Sequence, residues 1–249
     1  MLEEYMGYEM FSFSVVSSTN DVAKKLLENR SNVLVTAKLQ IKGRGRNNKQ
    51  WLGDEGKNIY LSIGKEHDAS EGEINLLMLT YQCVGCLAVL RALDKIAPSS
   101  AFVLKYPNDI YGCCKDSVFR KIAGVLVENE FIGNHIRTTV LGIGINVYQE
   151  DFAPEIQAIS LMLMGMNVQQ NILLTMIISE IEKLLKMSRL QVIEEWKEKL
   201  NIVSKKIEVV GELGNWDVVG FDDFGMLVVR QNDTIKTISN GDSIRYLIG

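Results

Sequence analysis

The chain has 249 residues, 27 of them Lys or Arg against 31 Asp or Glu, for a formal charge of −4, and 47% of its residues are apolar. Those values exclude a disordered segment, a collagen-like repeat and a disulfide scaffold, and leave a soluble globular chain with room for one large domain or a main domain and a small satellite. The mildly acidic balance argues against a surface that tracks nucleic-acid phosphate along its length, so any anion site must be local.

The N-terminus, Met1 to Met10, carries Glu3, Glu4 and Glu9 and no basic residue, the opposite of a secretory leader, so a cytoplasmic location is expected. Ser18-Thr19-Asn20-Asp21 precedes Val22, Ala23, Leu26 and Leu27, a helix start with N-cap residues. Val33 to Leu39 alternates as a strand, Gln40 to Lys57 is a polar loop, and Ile59 to Ile63 is a further strand. Glu73 to Ile96 is a long helical run ended by Pro98. Its greasy stretch, Leu76 to Leu93, is interrupted by Gln82 and Arg91 and reads as a buried core helix rather than a membrane span. Strands follow at Phe102 to Tyr106, Ile122 to Glu130 and Ile136 to Val147, then helices at Asn171 to Leu185 and Gln191 to Leu200. Beyond Ile202 come short β-rich pieces, Ile207 to Val210, Trp216 to Phe221, Met226 to Val229, Thr234 to Ile238 and Ser243 to Leu247, which suggest a small barrel. The boundary falls near Leu200, giving domains of residues 1–200 and 201–249.

Cys83 and Cys86 lie inside the long helical run and read as core, and adjacent Cys113 and Cys114 suit neither a mutual disulfide nor tetrahedral zinc. The two histidines, His67 and His135, are far apart, so no metal ligand set or Cys/His or Ser/His/Asp arrangement emerges. The chemistry must run on Lys, Arg, Asp and Asn.

Gly43-Arg44-Gly45-Arg46, followed by Trp51, pairs close backbone approach with two guanidiniums expected to converge on one phosphate or carboxylate. Lys105-Tyr106-Pro107-Asn108-Asp109 places a cation, an amide and a carboxylate at a strand end, and Lys121 stands at the mouth of a strand that continues through Gly124 to Glu128. Gly142-Ile143-Gly144-Ile145-Asn146 is a strand with one face bare of side chains. Taken singly, these read as structural features: a solvated turn, an edge lysine and glycines at a bulge.

Together and in this order, Ser18-Thr19-Asn20, Gln40 with GRGR and Trp51, KYPND, KIAGVLVE and GIGIN resemble the biotin protein ligases, from about Ser17 to the C-terminus. The resemblance implies an α+β fold, a mixed β-sheet flanked by helices of class II synthetase type, with a small C-terminal SH3-like β barrel. It implies a two-step reaction: biotin and MgATP give biotinyl-5′-AMP and pyrophosphate, and a lysine of a biotin carboxyl carrier domain then attacks the mixed anhydride. By the same resemblance Lys121, Arg46, Arg44 and Asp109 are catalytic. Biotin is bound by Ser18, Thr19, Gln40, Gly43, Arg46, Lys121, Gly124, Gly142 and Gly144, and the nucleotide by Arg44, Trp51, Asn108, Asn146 and Lys236. Biotin, ATP with Mg2+ and the carrier domain are the implied partners; neither nucleic acid nor membrane is, and a homodimer stays open.

Two departures stand out: the family usually has tryptophan at Tyr106, and the segment from Tyr111 to Arg120 is longer, which reads as a surface excursion. A lipoate ligase is the nearest rival, but its glycine-rich loop differs and is followed by His-Asp. A biotin-binding module without activity would have less reason to keep Lys121, Arg44, Arg46 and Asp109 charged together.

Overall fold

The computed structural model describes residues 3–5, 7–67, 74–98, 101–113, 116–153 and 155–246; Met1, Leu2, Met6, Glu73, Cys114 and Leu247, on which some sequence readings fall, lie outside the described residues. The main sheet has eight strands in the order β1-β2-β3-β4-β8-β7-β6-β5. In chain order these are β1 (Glu3–Tyr5), β2 (Tyr8–Val16), β3 (Asn32–Gln40), β4 (Asn58–Glu66), β5 (Phe102–Lys105), β6 (Asp109–Cys113), β7 (Phe119–Ile132) and β8 (His135–Asn146). Only β2 and β3 run parallel, joined through α1 (Thr19–Leu26), so the sheet is mixed.

Strands β1, β2 and β6 were not expected from the sequence. In β2, Phe11, Phe13 and Val15 alternate with Ser12 and Ser14, a strand signal legible in the sequence, whereas β6 hides behind a Pro-Asn-Asp turn and Gly112. The excursion expected from Tyr111 to Arg120 is largely a hairpin: Tyr111, Gly112 and Cys113 pair with Lys121, Arg120 and Phe119.

The two faces of the sheet have different fates. Leu34 of β3, Ile59, Leu61 and Ile63 of β4, Leu141, Ile143 and Ile145 of β8 and Ala123 and Val125 of β7 face the main core, where α2 (Ile74–Asp94), α3 (Gln170–Leu185) and α4 (Arg189–Leu200) cover them. Helix α2 is long and apolar enough to cross a membrane, but it is enclosed here, with Cys83, Cys86, Leu87 and Ala88 all at 0% exposure. On the opposite face α1 covers only one end, through a small cluster of Ala23, Leu27, Val33, Val35 and Val140. The cleft-facing surface of β8, β7, β6 and β5 is left without a covering helix.

After α4 come β9 (Lys206–Val209), β10 (Asn215–Phe221), β11 (Leu227–Gln231), β12 (Thr234–Ile238) and β13 (Ile244–Tyr246), an antiparallel sheet ordered β12-β11-β10-β9-β13, as in a small SH3-like barrel. This unit shares the main core, to which Ile207, Trp216, Val218 and Leu227 contribute together with Trp196 of α4. Tyr106 is the junction: its N–H donates to Tyr246 Oη at 3.0 Å, its hydroxyl donates to the Ile238 carbonyl at 2.8 Å, and its ring lies 6.3 Å from Trp196 and 6.4 Å from Phe221. Gly241 approaches so closely that a Cβ there would strike the Tyr106 carbonyl oxygen. The barrel is thereby bolted to the turn that carries Asn108 and Asp109.

His67, at the end of β4, packs edge-on against Tyr81 at 5.3 Å, and burial, with Lys65 and Arg189 nearby, pushes its pKa down to about 4. Its ordinary value is about 6.5, so between those pH values the unfolded chain binds a proton that the folded chain refuses. Its contribution to stability is therefore complete above pH of about 6.5 and declines as pH falls toward 4. His67→Phe is expected to flatten the fall in urea-unfolding free energy across that window; an unchanged slope would contradict the assignment.

Candidate active site

A cleft of about 650 Å³ opens on the uncovered sheet face, walled by the N-terminus of α1, the 40–57 loop, the 156–158 segment and residues 240–242 of the barrel. Its floor follows from strand parity. Gly142, Gly144 and Asn146 alternate on β8, Gly124 pairs with Gly144 across the β7–β8 ladder, and Asp109 pairs with Gly124 across β6–β7. Simple alternation would put Lys121, an odd number of residues from Gly124, on the opposite face. A bulge at Ile122 corrects this: Ile110 pairs with Ala123 but Tyr111 pairs with Lys121, so one extra residue turns the lysine into the cleft. The Lys121 backbone is held there by a hydrogen bond to the Gln157 carbonyl (3.0 Å) and one from Ile159 N–H (2.9 Å).

Lys121 Nζ lies 2.7 Å from Asp109 Oδ1 and 5.3 Å from the centre of the Trp51 ring. Trp51 roofs the glycine floor: a Cβ on Gly144 would come within 2.6 Å of its indole, and one on Gly124 within 2.9 Å. The Trp51 Nε1 is buried without a hydrogen-bond partner. Next to Asp109, Asn108 Nδ2 donates to the Val125 carbonyl at 2.5 Å, which fixes the turn on β7.

At the other end of the groove Gln40 Oε1 accepts from the Thr19 N–H (2.7 Å) and the Thr19 hydroxyl (3.0 Å), beside buried Ser18. Ser62 Oγ lies 2.6 Å from Asn20 Oδ1, and Asn20 Nδ2 donates to Glu128 Oε2 at 2.6 Å. Asn20 thereby spans Gly142, whose missing side chain makes room for it. Asn146 Nδ2 donates to the Ile159 carbonyl at 3.1 Å.

The two loop arginines do not converge as their spacing suggested. Arg44 turns to α1, gripping Asp21 with two bonds of 2.7 and 2.5 Å and lying 3.4 Å from Glu128. Arg46 turns to the barrel, donating to the Ser239 carbonyl at 3.0 Å. Lys49 pairs with Asp242 at 2.8 Å and Asn47 Nδ2 donates to Asn240 Oδ1 at 3.1 Å, so the loop is fastened at both ends. The Arg44 guanidinium holds the Asp21 carboxyl below its usual range. Burial would raise Glu128, but the hydrogen bonds from Asn20 and Lys24 and the charge of Arg44 outweigh it and hold that carboxyl low as well. Depressed carboxylates stabilise above their unfolded values and lose that contribution as pH falls through the folded ones, so the fastening to α1 is complete at neutral pH.

Of the predicted residues, Ser18, Thr19, Gln40, Arg44, Arg46, Trp51, Asn108, Asp109, Lys121, Gly124, Gly142, Gly144 and Asn146 line this one cleft. Gly43 stands behind the lining, where its carbonyl accepts from Trp51 N–H at 2.9 Å and a side chain would collide with the Trp51 backbone. Lys236 does not reach the cleft; it lies over Trp216, 4.0 Å from the ring centre, and pairs with Glu212. In its place the barrel contributes Asn240, Gly241 and Asp242, read from the sequence only as a turn. Lys105, singled out in its motif but given no role, also lines the cleft; Lys49, Tyr111 and the 156–158 segment were missed, the last having no signal beyond Pro154 and mixed polarity.

Residues 12–146, more than half of the chain, match the family described as "Biotin/lipoate A/B protein ligase family". The chain belongs to this ligase family. Among its relatives, the "Bifunctional ligase/repressor BirA" of Bacillus subtilis is 31% identical over 161 residues, 63% of this chain and 46% of that protein, so the match spans about half of the relative's length. The Escherichia coli protein of the same name is 28% identical over 256 residues, 97% of this chain and 75% of its own. A solved structure, "Biotin protein ligase from Aquifex aeolicus in complex with biotin and ATP", superposes with a TM-score of 0.70 at 26% identity, covering 96% of this chain and 99% of that one. As in that ligase fold, a helix-flanked mixed sheet is followed by a small antiparallel C-terminal sheet.

The Arg44–Asp21 grip, partly exposed, is worth on the order of 1 kcal/mol to loop docking. Asp21→Asn is expected to speed proteolytic cleavage within residues 42–57 several-fold while the urea midpoint of the whole chain stays nearly fixed. Equal cleavage rates in variant and parent would show that the grip does not hold the loop.

Proposed function

We propose that this ligase-family chain activates biotin with ATP as biotinyl-5′-AMP and transfers it to a lysine of a carboxylase's biotin carboxyl carrier domain. The observation that carries the reading is the convergence of Lys121 and Asp109 at the end of a side-chain-free groove whose far end is lined by Thr19 and Gln40. A ureido ring needs donors and acceptors at a blind end, an aliphatic chain needs a bare wall, and a carboxylate needs a cation at the exit. The Aquifex aeolicus relative described with biotin and ATP supports the choice of biotin over lipoate.

In the first step a biotin carboxylate oxygen forms a bond to the α-phosphorus and the bond to the bridging oxygen breaks, its electron pair leaving with pyrophosphate. Two anions meet, so the residues must supply positive charge rather than a covalent nucleophile. Lys121 sits where it can neutralise both the carboxylate and the α-phosphate. Arg46 is free to leave its single carbonyl partner for a phosphate, whereas Arg44 must first share or surrender Asp21. Trp51 occupies the groove that biotin needs, so ligand entry moves the indole, which then offers its ring and its unpartnered Nε1 to the nucleotide. In the second step the carrier amine forms a bond to the acyl carbon and AMP leaves; Asp109, exchanging its partner Lys121 for the amine, is placed to take the proton. Among the described residues no three His, Cys, Asp or Glu side chains come together. Mg2+ would enter with the phosphates as MgATP, and Asp242 or Asp109 of the cleft lining would be the carboxylate to complete its oxygen ligands.

Biotin-dependent release of pyrophosphate from ATP is the decisive measurement. Lys121→Ala is expected to lower it by about 10² or more with little change in the urea midpoint. No release from the parent chain with biotin, or equal release with lipoate, would overturn the reading.

A further inference from the structure

Strand parity places two more polar groups, Lys105 and Tyr111, beside the Lys121–Asp109 pair on the cleft face. Asp109 and Tyr111 are two residues apart on β6 and so point the same way; Lys105 is the cross-strand partner of Asp109, and Lys121, beyond the bulge, is the partner of Tyr111. Lys105 Nζ lies 3.1 Å from the Tyr111 hydroxyl and 4.7 Å from the centre of its ring. The other cleft cations have anionic or carbonyl partners: Lys121 has Asp109, Arg44 has Asp21 and Glu128, Lys49 has Asp242, and Arg46 has the Ser239 carbonyl. Among the described residues, Lys105 has no carboxylate within ion-pair distance.

We propose that Lys105 is a further phosphate-binding residue, which takes the leaving pyrophosphate of the nucleotide, and that Tyr111 is the positioning residue that aims it. This rests on the function proposed above. The direction comes from the order of strands. Biotin's groove lies on β8 and β7, the Lys121–Asp109 pair stands on β7 and β6, and Lys105 is next in line on β5. In an in-line displacement the attacking carboxylate comes from the β8 side, the α-phosphate sits at Lys121, and the leaving group departs on the β5 side. The barrel's Asp242, with Lys49, closes the same end of the cleft, so the departing anion leaves between a strand lysine and a loop lysine.

The electrostatics agree. Burial, more than any neighbouring charge, pushes the pKa of Lys105 down; Asp109 and Asp242 pull it up, while Arg245 and Lys49 push it further down. A desolvated ammonium with no anion costs stability, and an incoming phosphate supplies the missing partner. The hydroxyl and ring of Tyr111 fix the ammonium's direction without neutralising it, so that the positive charge is kept for the ligand.

The test compares the full chain with Lys105→Gln, Lys105→Arg and Tyr111→Phe in three assays: equilibrium binding of inorganic pyrophosphate, biotin-dependent ATP–pyrophosphate exchange, and transfer from supplied biotinyl-5′-AMP to a carrier domain. Lys105→Gln is expected to weaken pyrophosphate binding about tenfold or more, the loss of one charge-assisted contact, and to raise the KM for pyrophosphate in exchange by a similar factor. Transfer from supplied adenylate should stay within about threefold of the parent, because no pyrophosphate takes part in it. Lys105→Arg should recover most of the binding, and Tyr111→Phe should weaken it a few-fold. Unchanged pyrophosphate binding in Lys105→Gln, or an equal loss in the transfer assay, would overturn the proposal. Pyrophosphate binding that depends on Lys105 in a chain showing no biotin-dependent exchange would uphold the phosphate site and reject the biotin reading instead.

Discussion

The site depends on one extra residue. Without the bulge at Ile122, Lys121 would share a face with Ala123 and Val125 and be driven into the apolar core against α2, while Gly124 remained in the cleft. Burying an ammonium there would cost several kcal/mol, which no partner on that face could offset. The bulge lets Ile122 join Ala123 in the core and turns the lysine out, so one irregularity reconciles a continuous hydrophobic strand with a cation beside a glycine floor. The parallel 157–159 segment, pairing with Lys121 from outside, locks this local exception in place.

The remaining parts of the cleft are arranged around that floor by neutralisation from within. Each basic side chain brought to the cleft, except Lys105, is matched by a carboxylate or a carbonyl drawn from a different element: Asp21 from α1, Glu128 from β7, Asp109 from β6, Asp242 and Ser239 from the barrel. The same pairs that spare the unliganded protein a concentration of positive charge also fasten the loop to α1 at one end and to the barrel at the other. The C-terminal unit is therefore part of the site's wall, and its docking through Tyr106 transmits its position directly to Asn108 and Asp109. Tyr106, where the resembling family usually has tryptophan, packs its ring against Trp196 and donates its hydroxyl to the Ile238 carbonyl.

Much of this was legible in the sequence because it is periodic or local. The helical spacing behind α1 to α4, the alternation in β3, β7 and β8 and the closely spaced turns of the last 50 residues each announce themselves within a short window. The glycine floor was legible for the same reason, since Gly142 and Gly144 two apart on a strand must share a face. What escaped depends on partners distant in sequence. Nothing in GRGR reveals that Asp21 stands ready to turn Arg44 away from Arg46, and nothing in the Asn240-Gly241-Asp242 turn reveals that it meets Lys49. Lys236 was assigned by resemblance to a strand face, and Glu212 with Trp216 claims it instead. The bulge at Ile122 defeated simple alternation, because a one-residue slip exchanges the faces of everything before it.

Trp51 gives the cleft an occupant of its own. Its indole lies on the two glycines and against Lys121, so this part of the groove floor is covered by the protein's own side chain. A ligand that needs the same floor binds only the fraction of molecules in which the ring has moved, and its apparent affinity falls by that fraction. The loss has a return in specificity: a ligand that covers the glycines but cannot stack or pair with the displaced indole recovers less than one that can do both. The unpartnered Nε1 of Trp51 sharpens the difference, because its buried donor gains a partner only when the ring moves to meet one. A groove filled by its own lid thereby couples occupation of the floor to capture of a second, hydrogen-bonding planar group, the pairing of ligands that an acyl-adenylate requires.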